Sequence, residues 1–420
     1  MPAATRQKLQ TQTSTGRVGI DTDRSNVLEP AVEPEPGSER EACGHISTAE
    51  ATYILNKDAL EVSPIPQLES SRISRLQVAS LPAHEENEDA FAYDFLPDAH
   101  SILDHGSEQC WSFLAVCDGH YGYRTSRYLK DVLIKQVYRA LLALYESHQA
   151  SSPPAEDLVK STISTAFTAL DESILSNSSA PAIATQGSCA LLSFYDARHN
   201  RLFTACTGDS RCVYGKRIGS PQNTRWLSKS LSTDQNFASN PDEVKRVTAD
   251  HPGEKDVILQ NRLMGDLAVS RAFGNKRFKL HEDGGAKRLR SGTQYDVIKS
   301  PPYITAEPEV TAYTAPKEGD FVVLATDGLW DFLSSEDAVA LVGRWMDDHI
   351  EKKEQRKTRL THSQEEMFVF EDDGNVGVHL IRNALGGVRE GRLLFTLSLP
   401  PGKNAAKKHR DDITVVVAFF

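Results

Sequence analysis

The chain has 420 residues, 39% of them hydrophobic and 25% charged, and carries a formal net charge of −11. That acidic balance argues against a nucleic-acid binder, because phosphate backbones need a basic face. No apolar run is long enough to cross a bilayer, so the composition predicts a soluble globular protein without a transmembrane segment, in one large domain or two ordinary ones.

Residues 1–20 carry Arg6, Lys8 and Arg17, many Thr and Gln, and no acid before Asp21. The charge bias fits an organelle transit peptide, and the thin apolar face fits a disordered tail. Pro30, Pro34 and Pro36 among glutamates continue the disordered composition through residues 1–44. From 45 to 420 the chain reads as one folded domain. Ser47-Thr48-Ala49-Glu50 is a capping box that opens a short helix through Leu55. An extended stretch runs from Ser71 to Ser80 on Ile73, Leu76 and Val78. The acids Glu85, Glu86, Glu88 and Asp89 then lead into a strand at Ala90. Trp111–Val116 is a second strand, ending in Cys117-Asp118-Gly119-His120-Tyr121-Gly122. Two glycines around a histidine let the backbone turn tightly and approach a ligand.

Leu129, Val132, Leu133, Val137, Leu141 and Leu144 form a helical stripe over 125–147. Leu158, Ile163, Phe167, Leu170 and Ile174 do the same over 157–175. Gly187–Phe194 and Arg201–Thr207 read as strands joined at His199-Asn200, and Gly208-Asp209-Ser210-Arg211 turns into another. Polar residues at 281–300 and charged residues at 345–375 read as insertions, the second as a solvated loop or helix pair. Phe321–Ala325 is a strand before Thr326-Asp327-Gly328, and Ile413–Phe420 is one directly after Asp411-Asp412. Strands, helices and strands again make an α+β chain with antiparallel sheets. The six cysteines, Cys43, Cys110, Cys117, Cys189, Cys206 and Cys212, show no C-x-x-C pairing and no histidine at zinc spacing. Several lie in apolar runs, which implies a reducing compartment.

Five apolar strands therefore begin or end in a carboxylate: Glu88-Asp89, Asp118, Asp209, Asp327 with Asp331, and Asp411-Asp412. Side by side in a β-sandwich, these acids would converge at one end and repel one another unless divalent cations neutralised them. Oxygen donors favour Mg2+ or Mn2+ over zinc. A bridged metal pair most often serves phosphate-ester hydrolysis, activating a water and holding phosphoryl oxygens. No Ser-His-Asp set, P-loop or reactive-cysteine pattern competes. His120 could protonate a leaving alkoxide, or could simply orient a carboxylate.

The motifs Glu88-Asp89, Asp118-Gly119-His120-x-Gly122, Thr207-Gly208-Asp209-Ser210-Arg211, Leu267–Gly274, Ala325–Asp331 and Arg410–Val415 occur in that order. Together they resemble the metal-dependent protein serine/threonine phosphatases of the 2C type, the PPM family. The resemblance implies an αββα sandwich, two antiparallel sheets flanked by helix pairs, with the metals in a cleft at one end. It implies that Asp118 bridges two Mg2+ or Mn2+ ions, with Glu88, Asp89, Asp327, Asp411 and the Gly119 carbonyl completing their shells. Asp209 and Asp331 match acids around a third, weaker metal position. Ser232–Asn236, Asn240–Pro252, Arg277-Phe278-Lys279 and Pro301–Val310 further resemble the mitochondrial pyruvate dehydrogenase phosphatases. That implies a phosphoprotein substrate, the E1 subunit of the pyruvate dehydrogenase complex, and a mitochondrial location. A cytoplasmic 2C-type phosphatase with another substrate, a catalytically impaired scaffold, and a phosphatase of small esters are the alternatives.

The chain departs from the family at three places. Where many members carry a phosphate-gripping arginine, this chain has His84, a weaker ligand in the same role. Asn275 stands where aspartate usually follows Phe-Gly, and Asp412 where asparagine usually follows the last ligand.

Overall fold

Strand Ile413–Phe419 shows why the apolar runs lack polar alternation. Ile413, Val415, Val417 and Phe419 enter one core, while Val416 and Ala418 enter another. Both faces of the sheet are covered, so a period of two survives only as a choice between cores. Cys110–Cys117 behaves alike: Trp111, Phe113 and Ala115 face a helical layer, and Leu114 and Val116 face the opposite sheet.

The computed structural model describes residues 46–62, 70–103, 109–148, 152–220, 223–281, 298–314, 316–351, 360–370, 373–402 and 405–420. One sheet runs in the order Leu60–Val62, Arg75–Leu81, Ile413–Phe419, Phe321–Ala325, Arg211–Ser220, Asn223–Ser230. The other runs Glu309–Thr314, Arg201–Thr207, Ala190–Asp196, Cys110–Cys117, Ala90–Pro97. Every pairing in both is antiparallel. Helices Arg124–Glu146 and Glu156–Ser176 cover the second sheet. Helices Thr48–Asn56, Ser335–Met346, Val376–Leu385 and Glu390–Ser398 cover the first. Leu76, Val78, Leu191, Leu202, Val322 and Leu324 fill the space between the sheets. This is the four-layered αββα arrangement, and the Ser47/Glu50 capping box forms as the sequence predicts.

Register decides where the acids go. Ala90 lies opposite Cys117 and Ala190 opposite Thr207, so Asp89, Asp118 and Asp209 leave one edge of the second sheet together. Ala325 lies opposite both Arg211 and Val415, and Ile413 opposite Leu81. Asp327, Asp411 and His84 therefore leave the matching edge of the first.

Several sequence-based boundaries shift. The stretch 187–194 is two elements: Gly187–Ser188 pairs with Gly119–His120 and Phe273–Gly274, while Ala190–Asp196 joins the large sheet. The break falls where the Cys189 amide donates to the Asp118 carbonyl at 2.8 Å. The extended stretch begins at Arg75, not Ser71. Leu158 is 43% exposed and Val159 takes its place in the core, so the buried stripe starts one position later, while Ile163, Phe167, Leu170 and Ile174 are buried as expected. The stretch 345–375 is not uniformly solvated. Trp345 is buried and its indole N–H donates to the Asp373 carbonyl at 2.6 Å, while the Arg382 guanidinium grips that residue's carboxylate from Val376–Leu385. Residues 1–44, most of 281–300, and 352–359 and 371–372 lie outside the described residues.

Candidate metal centre

The segment 83–88 is wrapped around the carboxylate of Asp412. Its Oδ1 accepts the amides of Ala83 and His84, and its Oδ2 accepts the Glu88 amide at 2.8 Å. The same Oδ2 lies 2.8 Å from His84 Nδ1. Burial works against a charge on Asp412, but the His84 ring and these amides outweigh it and hold the carboxyl below its ordinary range. Asp412 in turn raises the His84 imidazole against the cost of burial. Two of the three departures from the family pattern are thus one hydrogen-bonded pair. The Nδ1 edge of His84, the residue expected to grip phosphate, is taken.

The neighbouring acids are gathered by equally local means. Asp89 Oδ2 accepts the Thr326 hydroxyl at 2.8 Å, and that hydroxyl oxygen accepts the Thr414 amide at 2.9 Å. The Ser126 hydroxyl donates to the Glu88 carbonyl. A Cβ on Gly119 would strike that carbonyl, so only glycine lets Asp118 and Glu88 come together. Burial, then mutual repulsion, pushes Asp89, Asp118 and Asp327 well above the ordinary carboxylate range. For Asp118 the repelling neighbours are Asp327, Asp89, Asp209 and Asp411. Burial and Asp234 push Asp209 up to about 6. Burial raises Glu88, and burial with Asp411 raises Asp331.

One member of this group was not legible. Cys189 donates its S–H to Asp209 Oδ1 at 3.4 Å, and donor atoms of Asp118, Cys189 and Asp209 lie within 4.8 Å of one another. Nothing in the sequence separates Cys189 from the other buried thiols; only the break in its strand, invisible as a pattern, aims it here.

His120 is set by the ribbon Gly119–His120, Gly187–Ser188, Phe273–Gly274. Its Nε2 lies 2.8 Å from Asn275 Oδ1, and a Cβ on Gly187 would collide with both groups. Asn275 holds its place in left-handed backbone, φ 51°, ψ 42°, which asparagine tolerates. The third departure therefore sits on the histidine and not among the acids. Burial pushes the imidazolium down to about 4, against the Asn275 contact that raises it. An unfolded histidine near 6.5 binds a proton that the folded ring refuses down to about 4. This ring's contribution to stability is therefore complete above 6.5 and is lost as pH falls towards 4. Asn275→Asp is expected to raise the imidazole midpoint by at least about one pH unit, because a carboxylate favours the imidazolium. An NMR titration of the metal-free protein measures it; an unmoved midpoint would show that Asn275 does not govern the ring.

The donor set fits a hard divalent ion. Carboxylates from both sheets crowd one edge, the donors beside them are the Cys189 thiol and the His84 imidazole, and a bound cation would relieve the mutual repulsion of the acids.

The family profile described as Protein phosphatase 2C matches residues 84–366. A protein phosphatase 2C homologue of Schizosaccharomyces pombe is 35% identical, spanning 88% of this chain and 92% of its own. The mitochondrial pyruvate dehydrogenase (acetyl-transferring) phosphatase 1 of Saccharomyces cerevisiae is 32% identical over 94% of this chain and 78% of its own. The Bos taurus protein of that name is 35% identical over 52% of this chain and 45% of its own. The crystal structure of serine-threonine phosphatase 2C from Toxoplasma gondii superposes with a TM-score of 0.51 at 18% identity, over 86% of this chain and 99% of that one, a likeness of fold. The family match and relatives that span most of the chain place it in the protein phosphatase 2C family, whose members are metal-dependent hydrolases of phosphoproteins.

Proposed function

We propose that this protein removes phosphate from phosphoserine or phosphothreonine using two Mg2+ or Mn2+ ions, and that its substrate is the phosphorylated E1 subunit of pyruvate dehydrogenase in mitochondria. Asp118 would reach both ions, with Glu88, Asp89, Asp327, Asp411 and the Gly119 carbonyl filling the two shells. Asp209 and Asp331 would serve a third, weaker position, where Cys189 adds a soft donor beside Asp209. When bound, such ions supply an acidified water and positive charge for the phosphoryl oxygens. The observation that carries the reading is the convergence of buried, mutually repelling acids from both sheets.

The chain's own groups have separate tasks. Asp412 holds the 83–88 segment that carries Glu88 through the amides of Ala83, His84 and Glu88. His120 is the proton donor to the leaving serine or threonine oxygen. A ring held at about 4 is neutral at pH 7, and the approaching phosphate dianion is the charge that favours protonating it. The substrate and the mitochondrial location rest on the Saccharomyces cerevisiae and Bos taurus relatives.

The test is release of phosphate from phosphorylated E1 and from an unrelated phosphopeptide, with Mn2+ and with EDTA. EDTA-sensitive turnover of both, with E1 preferred, is expected. Activity on the unrelated peptide alone would overturn the substrate, and no metal-dependent turnover on either would overturn the reaction. Imaging a fusion tagged at the C-terminus, with and without residues 1–44, tests the location; cytosolic retention of the full chain would count against it.

A further inference from the structure

If the phosphatase reading holds, the substrate's phosphoryl group needs a cation beside the metals, and His84 can offer at most its second ring edge, because Asp412 occupies Nδ1. The structure holds another basic group at the same mouth. Lys407, on the turn Ala406–Lys408, ion-pairs with Asp411 Oδ2. Among the described residues, Lys407 and His84 are the basic side chains within ion-pair distance of a proposed metal ligand. The other nearby cations are committed. Arg410 is buried and donates to the Pro82 carbonyl. Arg211 is bidentate on Asp234 and lies over the Trp330 ring.

Lys407 is also fixed in position. The Gly402 amide donates to the Ala83 carbonyl at 2.7 Å, and the Lys407 amide donates to the Gly402 carbonyl at 3.3 Å. The turn is thereby pinned against the residue that precedes His84. The side chains of Lys407 and Asp411 are 32% and 34% exposed, so the pair opens to the solvent from which a substrate arrives. The ammonium is felt electrostatically at His84, Glu88 and Asp331 as well as at Asp411. A cation bound by Asp411 would compete with that ammonium for the carboxylate.

We propose that Lys407 is the phosphate-binding cation of this site, donating to a non-bridging oxygen of the substrate phosphoryl group and of the inorganic phosphate product. It takes from the C-terminal side of the cleft the task that an arginine at position 84 would perform from the other. An ammonium is a point charge without the bidentate fork of a guanidinium.

The experiment compares full-length wild type, Lys407→Met and Lys407→Arg at saturating Mg2+, with a phosphoserine peptide as substrate and inorganic phosphate as product inhibitor. Loss of one charge-assisted hydrogen bond corresponds to about 10- to 100-fold in affinity. Lys407→Met is expected to raise KM and the phosphate inhibition constant together by that factor with little change in kcat, and Lys407→Arg to restore most of it. A second readout needs no turnover: inorganic phosphate raises the melting temperature of the Mg2+-loaded wild type, and Lys407→Met loses that increment. If KM and the increment stay at wild-type values while only the Mg2+ requirement moves, Lys407 is merely the counter-ion of Asp411 and the proposal is overturned. Wild-type protein without turnover would sink the phosphatase reading, and the phosphate increment would still decide for or against Lys407.

Discussion

Asp118→Asn is expected to abolish Mn2+-dependent hydrolysis of a phosphopeptide while leaving the metal-free protein at least as heat-stable as wild type. The loss of rate should exceed the ~10²-fold that removal of a single general acid costs, because the proposed bridge serves both ions at once. The gain in apo stability follows from electrostatics. Asp118 is pushed well above the ordinary range by burial and by Asp327, Asp89, Asp209 and Asp411, so ionising it in the folded state is unfavourable. Asparagine keeps the shape and removes that charge. Mn2+ should raise the melting temperature of wild type by mass action, and of the variant much less. Calorimetry with and without Mn2+ checks both halves. A variant with substantial residual turnover, or with a metal-free form less stable than wild type, would contradict the arrangement.

Asp171→Ala should destabilise the fold by about 3–5 kcal/mol, the usual cost of stripping one partner from a buried ion pair. Asp171 and Lys279 are both buried. Lys279 Nζ donates to Asp171 Oδ2 at 2.5 Å and to the Ala272 carbonyl at 2.6 Å, while Asp171 Oδ1 accepts the Gly274 amide at 2.8 Å. The alanine variant strands an ammonium and an amide together. Replacing both partners, Asp171→Leu with Lys279→Met, should recover much of the loss, because apolar groups of similar size need no partners. Urea unfolding of the three proteins measures this. The same clasp holds the backbone next to Asn275, so Asp171→Ala should also lower kcat through a loosened His120. An Asp171→Ala protein as stable as wild type would mean that the pair is water-accessible.

What could be read in the sequence was what repeats locally. Carboxylates at the ends of apolar strands stand out because strand and turn are contiguous, and Asp118, Asp209, Asp327 and Asp411 were found that way. The α+β class with antiparallel sheets followed from the order of strands and helices, and the αββα layering from the resemblance of the six motifs to the 2C-type phosphatases. What could not be read was pairing at a distance. His84 and Asp412 are separated by 328 positions, and His120 and Asn275 by 155. Each looked like an isolated departure because substitution at one position carries no sign of its partner. Leu158 misled because an apolar residue at the start of a helix fits a stripe that begins one position early. Trp345 misled because the charged residues after it hide a buried indole whose partner, Asp373, lies within the same charged stretch.

Strand Ile413–Phe419 lies between Arg75–Leu81 and Phe321–Ala325, near the middle of its sheet. During synthesis the first sheet must therefore wait as two separate ladders, each with a long apolar edge, until the last strand is delivered. Such edges recruit other chains, and a contact between positions 78 and 416 closes slowly. A chain truncated before residue 413 is therefore expected to expose both edges and to aggregate, which light scattering during refolding would measure.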